Sequence, residues 1–178
     1  LQNEDGGDCC VNAKKMTTLA LLTATALIMF IVEMHIPNPF PLPGIKLGLA
    51  NIITVYCVFR FSASETALVV TARLLLGTMF SGNFSALIYS GCGAFCCLIG
   101  MLLLRKYLPE KQIWLCSIIG AMFHNIGQIL AALAVMRSLS VLGYLPVLLV
   151  SGTLAGLFTG LCAQLICNRL EPKKEPHD

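Results

Sequence analysis

Ile113-Trp-Leu-Cys-Ser-Ile-Ile-Gly-Ala-Met-Phe-His124-Asn125-Ile-Gly-Gln128-Ile-Leu-Ala-Ala-Leu-Ala-Val-Met136-Arg137 carries no charged side chain until its last residue. A helix of this length crosses the roughly 30 Å hydrocarbon core of a bilayer. Three hydrogen-bonding side chains stand in its middle, however. His124 and Gln128 are four residues apart and share one helix face, with Asn125 beside them. Polar groups at mid-membrane depth are expensive, so they serve either as hydrogen-bonding glue between helices or as a binding site.

The rest of the chain agrees with a membrane reading. Its 178 residues are 57% hydrophobic and 12% charged, about half the charge of a typical soluble domain. Such a chain cannot present a polar surface all round, which excludes an ordinary cytoplasmic enzyme, a disulfide-stapled secreted domain and a disordered segment. Six segments have the composition of membrane helices: 16–36, 46–60, 64–81, 84–104, 113–137 and 145–168. The second and third are the weakest, being short and interrupted by polar groups. Between them, in Arg60-Phe-Ser-Ala-Ser-Glu65, a serine or Glu65 can cap a helix start. Pro109 separates the fourth span from the fifth, and Gly143 with Pro146 marks the turn into the sixth. The expected architecture is an all-α bundle of six transmembrane helices, since backbone in lipid must satisfy its own hydrogen bonds. Residues 1–15 form a polar tail and 169–178 a second one. Lys14-Lys15 before an apolar run resembles a signal peptide, but the run is too long and no cleavage site follows, so it reads as the first span.

The placement of the bases orients the bundle. With the N-terminus inside, Lys14, Lys15, Arg60, Arg105, Lys106, Lys111, Arg169, Lys173 and Lys174 all fall on the inner side, against Lys46 and Arg137 outside. That bias puts both termini in the cytoplasm and the chain in the cell membrane. Tyr107 and Trp114 then lie near the inner interface and Tyr144 near the outer one. No nucleic-acid partner, metal or cofactor is expected. Most of the nine cysteines sit in apolar runs, where a free thiol packs as a small hydrophobe.

Other polar features need a reason. Pro37, Pro39, Pro41 and Pro43 hold the outer loop after the first span extended, either as a stiff connector or as a lid across the outer mouth. Glu33 and Lys46 flank that loop. They pair across it, or Glu33 lines a polar entrance while Lys46 snorkels to the interface. Arg73 falls near the middle of the third span, where an arginine is unfavourable by about 3 kcal/mol. The aspartates are Asp5, Asp8 and Asp178, all in the tails. Arg73 therefore pairs with Glu33 across a depth offset, with carbonyls or water, or with an anionic ligand. Asn51, early in the second span, can join the His124 cluster. Two small-residue stripes, Ala20-xxx-Ala24 and Gly152-xxx-Gly156-xxx-Gly160, suit close helix packing, within the bundle or against another subunit.

Pro43-Gly-Ile-Lys46-Leu-Gly-Leu-Ala-Asn51-Ile52, Arg73 with Gly77 and Ser81-Gly82, His124-Asn-Ile-Gly-Gln128 and Tyr144-Leu-Pro146 together resemble the bacterial Gx transporter family, also labelled heptaprenyl diphosphate synthase component I. That family is similar to the substrate-binding S components of energy-coupling-factor (ECF) transporters. The resemblance implies six helices, both ends inside, and a pocket opening outward for a small ligand. Arg73 would meet an anionic group, and His124, Asn125, Gln128 and Asn51 would supply hydrogen bonds, with Glu33 and Lys46 at the mouth. It also implies docking of an ECF T component, with its ATPases, through Ala20 and Ala24. Family members occur with flavoprotein electron-transfer machinery too, so a flavin- or quinone-handling membrane subunit is the alternative. The enzyme label fits at most an accessory subunit. Chain-elongating prenyl diphosphate synthases hold magnesium and diphosphate on Asp-rich motifs, which these residues lack. A P-loop is likewise missing from them, so an ATP-driven step would need other subunits.

Overall fold

The computed structural model describes residues 5–36 and 48–170. The proline segment, Lys46 and the tail from Glu171 lie outside the described residues. Six helices make up nearly all of the rest: α1 (Asp5–His35), α2 (Leu49–Arg60), α3 (Ala63–Ser81), α4 (Phe84–Leu104), α5 (Ile113–Met136) and α6 (Leu145–Leu170). Short 3-10 turns at Glu110–Gln112 and Leu139–Tyr144 lead into α5 and α6, where Pro109, Gly143 and Pro146 break the pattern. There is no strand among the described residues.

Two boundaries differ from the expectation. The first helix begins at Asp5, so its ladder extends through the polar residues ahead of Met16. Hydropathy marks where lipid contact starts, and with no proline or capping signal there the backbone ladder runs on past it. The second difference is α2. Its 12 residues reach only about 18 Å at the usual helical rise. Among the described residues five helices are long and apolar enough to cross a membrane, and α2 is a shorter apolar helix beside them.

The helices form a ring in which α1 meets α3, α3 meets α4, α4 meets α5 and α5 meets α6, and α2 closes it between α6 and α1. Local signals fix the joints. Ser62 and Glu65 form a reciprocal capping box at the start of α3: Glu65 N–H donates to Ser62 Oγ at 3.4 Å, and Ser62 N–H to Glu65 Oε2 at 3.0 Å. Lys15 Nζ lies 2.5 Å from Glu65 Oε1 and ties the start of α1 to the same corner. Lys14, Lys15, Arg60, Arg105, Lys106, Lys111 and Arg169 gather at this end of the bundle, while Arg137 caps the far end of α5.

The core is displaced toward the base-rich end. One cluster joins Ile52, Val55, Val58, Cys97, Met101, Ile113, Cys116, Ala163 and Cys167, from α2, α4, α5 and α6. A second joins Leu19, Ala26, Ile53, Cys57 and Val69, from α1, α2 and α3. Four cysteines are thus core packing residues. The Gly152, Gly156, Gly160 stripe faces α5, not an outside partner. A Cβ at Gly156 would stand 2.9 Å from Ile118 Cα, and one at Gly160 would stand 2.7 Å from Trp114 Cα. Ala20 and Ala24 remain exposed on the outer face of α1.

Candidate ligand-binding site

Because α2 is short, its N-terminus ends inside the bundle, and the space beyond it is not filled by the core. Gly48 precedes the helix with φ 74°, a left-handed conformation that suits glycine, and it offers no side-chain cap. The cap comes from another helix. Gly48 N–H donates to Glu33 Oε1 at 2.6 Å and Leu49 N–H to Glu33 Oε2 at 3.0 Å. A carboxylate from α1 therefore satisfies two orphan donors at the positive end of the α2 dipole. Lys46 lies outside the described residues; both Glu33 oxygens are occupied without it.

One turn into α2, Asn51 points toward α3. Arg73 Nη1 donates to Asn51 Oδ1 at 3.4 Å, a long bond. Arg73 is only 8% exposed. Among the described residues no carboxylate lies within ion-pairing distance of its guanidinium. The remaining donors face a cavity of about 360 Å³, within the usual size range of small-molecule sites.

All six helices contribute to the cavity wall. Glu33 comes from α1, Asn51 from α2, Arg73 from α3, Ser90 from α4, and His124, Asn125 and Gln128 from α5. Thr159 and the glycines Gly152 and Gly156 line it from α6. Six of the seven ligand-binding residues expected from the sequence thus surround one space; the seventh is Lys46.

They are not equivalent. Asn125 is buried, and its Nδ2 donates to the Leu148 carbonyl at 2.5 Å. It sits so close over Gly152 that a Cβ there would collide with it. Asn125 is therefore glue between α5 and α6 as well as a wall residue. His124 and Gln128 lie over Gly93 of α4, where a Cβ would stand 2.9 Å from Gln128 Cγ and 3.0 Å from His124 Cε1. Glycine at 93 leaves both side chains room beside the cavity.

Sequence reasoning missed Thr159, Ser90 and Phe30. Thr159 lines the cavity and is 2% exposed, and its hydroxyl lies 3.0 Å from the buried Ser117 Oγ. Its position three residues after Gly156 was the available signal, since that spacing shares a helix face. Phe30 packs its ring over Gly77, where an added Cβ would stand 3.0 Å from the ring edge.

A ring of helices with five long apolar members, hollow at one end and packed at the other, is the build of a multi-pass membrane protein. The model of the heptaprenyl diphosphate synthase component I family matches residues 22–166, and the chain belongs to that family. No curated protein and no solved structure matches it.

Proposed function

We propose that the protein is a membrane substrate-binding component that takes a small anionic or polar-headed ligand into this cavity from the outer side. It passes the ligand inward with partner subunits, in the manner of an ECF S component. The observation that carries this reading is Arg73. A guanidinium buried at mid-helix, holding one 3.4 Å hydrogen bond and no carboxylate partner among the described residues, costs several kcal/mol unless something compensates it. An anion in the cavity beside it does so directly.

The clustering of bases at the packed end supports the orientation, because the positive-inside rule makes that end cytoplasmic and turns the cavity outward. Ala20 and Ala24, exposed on α1, are where a T component would dock. Native mass spectrometry of the protein in nanodiscs, challenged with a metabolite extract, tests the binding claim. A small molecule retained by the unmodified protein and lost in Arg73→Gln is expected. An empty protein in both cases overturns the reading.

The family's description favours a second reading, an accessory subunit of polyprenyl diphosphate synthesis. The aspartates Asp5, Asp8 and Asp178 are too scattered for the magnesium chemistry of chain elongation. That role would therefore need a separate catalytic chain. A pull-down from native membranes distinguishes the readings by what is recovered: a T component with ATPases, flavoproteins, or a soluble Asp-rich synthase.

A further inference from the structure

The charged groups around the cavity determine more than the sign of its ligand. Glu33 on α1, Arg73 on α3 and His124 on α5 are the acidic, basic and imidazole groups on its wall, while α2, α4 and α6 contribute uncharged Asn51, Ser90 and Thr159. Glu33 is already spent. Its two oxygens accept the Gly48 and Leu49 amides at 2.6 and 3.0 Å, at the positive end of a helix. Arg73 is not spent in this way. Guanidinium donors of Arg73 are therefore left for an anionic ligand.

Resting on the binding reading above, we propose that the cavity selects monoanions of the carboxylate type attached to a neutral body. A carboxylate accepts two parallel N–H donors from a guanidinium, which is the strongest pairing Arg73 can make. A second negative charge on the ligand has no cation to meet among the described wall residues. It instead faces the Glu33 carboxylate across the same cavity, where reduced dielectric amplifies like-charge repulsion. The uncharged hydrogen-bonding groups of Gln128 and Asn51 suit the neutral remainder of the molecule. A cavity of about 360 Å³ also disfavours a polyprenyl diphosphate, which is both multiply charged and long.

Three probes of similar shape test the valence: benzoate, its neutral isostere benzamide, and phenyl phosphate at a mildly alkaline pH where it is a dianion. Each is titrated against the protein in nanodiscs, and affinity is read from the shift in unfolding midpoint. Benzoate is expected to bind at least about tenfold tighter than benzamide, equivalent to about 1.4 kcal/mol, and at least as tightly as phenyl phosphate. In Arg73→Gln the advantage of benzoate over benzamide disappears. In Glu33→Gln, with the opposing charge removed, phenyl phosphate gains about tenfold relative to benzoate. Tighter binding of phenyl phosphate than benzoate by the unmodified protein overturns the monoanion inference and leaves the anion-binding reading intact. Equal binding of benzoate and benzamide, or binding of none of the three, overturns both. The unmodified protein decides the valence even if Glu33→Gln does not fold.

Discussion

At the base-rich end of α2, Arg105 reaches across from the end of α4 and donates through Nη1 to the Val58 carbonyl at 2.6 Å and the Phe61 carbonyl at 2.8 Å. Toward the other end of the same helix, Arg73 donates once, at 3.4 Å, to Asn51 and otherwise faces open space. The first arginine completes a helix C-terminus whose carbonyls would otherwise lack partners, and it complements the negative end of the α2 dipole. The second completes nothing in the described protein. The surroundings differ in the same way. Around the Arg105 end, Val55, Val58, Cys97, Met101, Ile113 and Cys116 fill the ring. Around Arg73 the helices hold a cavity apart. One half of the bundle spends its polar groups on its own backbone, and the other leaves a charge available.

The contrast breaks most readily in the α5–α6 seam, which continues from the packed half along the cavity wall. Gly156 sits where an added Cβ meets Ile118 Cα and Ala121 Cβ, both at 2.9 Å. Backbone on the facing helix cannot yield as a flexible side chain would. Gly156→Val is expected to destabilise the protein by about 3 kcal/mol, the upper part of the usual overpacking range, measured as a fall in unfolding midpoint in bicelles. A normal midpoint would mean that the seam is looser than its contacts imply.

Arg105→Met gives the next largest effect. The methionine keeps the apolar stem but strips two carbonyls of their charged donor. With partial rehydration near the end of the bundle, the loss is expected to be about 2 kcal/mol, read by the same unfolding measurement. Hydrogen exchange should rise at the C-terminal amides of α2 before it rises elsewhere. Exchange that stays uniform would show that the two carbonyls find other donors.

The sequence made these two halves unequally legible. Long uncharged runs, Pro109, Pro146 and the Ser62–Glu65 box each act locally, so their helices and boundaries follow from neighbours in the chain. Arg73, His124, Gln128 and Asn51 were conspicuous for a similarly local reason: polar side chains in apolar runs must have a use. The partner each one finds depends on how the helices cross, and no local pattern carries that. Glu33 faces the start of α2 because α1 and α2 pack together. Asn125 differs from its neighbours His124 and Gln128 because Gly152 of α6 lies beneath it. The glycine stripe that suited either an internal or an external partner was settled by α5 alone. Helix length was partly legible: the second segment already stood out as short, and the structure starts it at Leu49 after the left-handed Gly48.

The smallest change in stability is expected at the residue most important for function. Arg73→Met removes a buried charge whose described partner is one long hydrogen bond to Asn51. Losing that bond costs little, and relief of the desolvation penalty offsets it, since apolar replacements of buried charges are often neutral or stabilising. The unfolding midpoint of ligand-free Arg73→Met should therefore match or slightly exceed that of the unmodified protein, within about 1 kcal/mol. The stabilisation that ligand gives the unmodified protein should vanish in the variant. Arg105→Met should show the reverse: a lower midpoint, with the ligand-induced increment retained in whatever fraction remains folded. An Arg73→Met variant that unfolds as readily as Arg105→Met would mean that Arg73 braces α3 against α2. The hollow half would then be held together by its charge in the same way as the packed half, and the difference between the two arginines would be one of position alone.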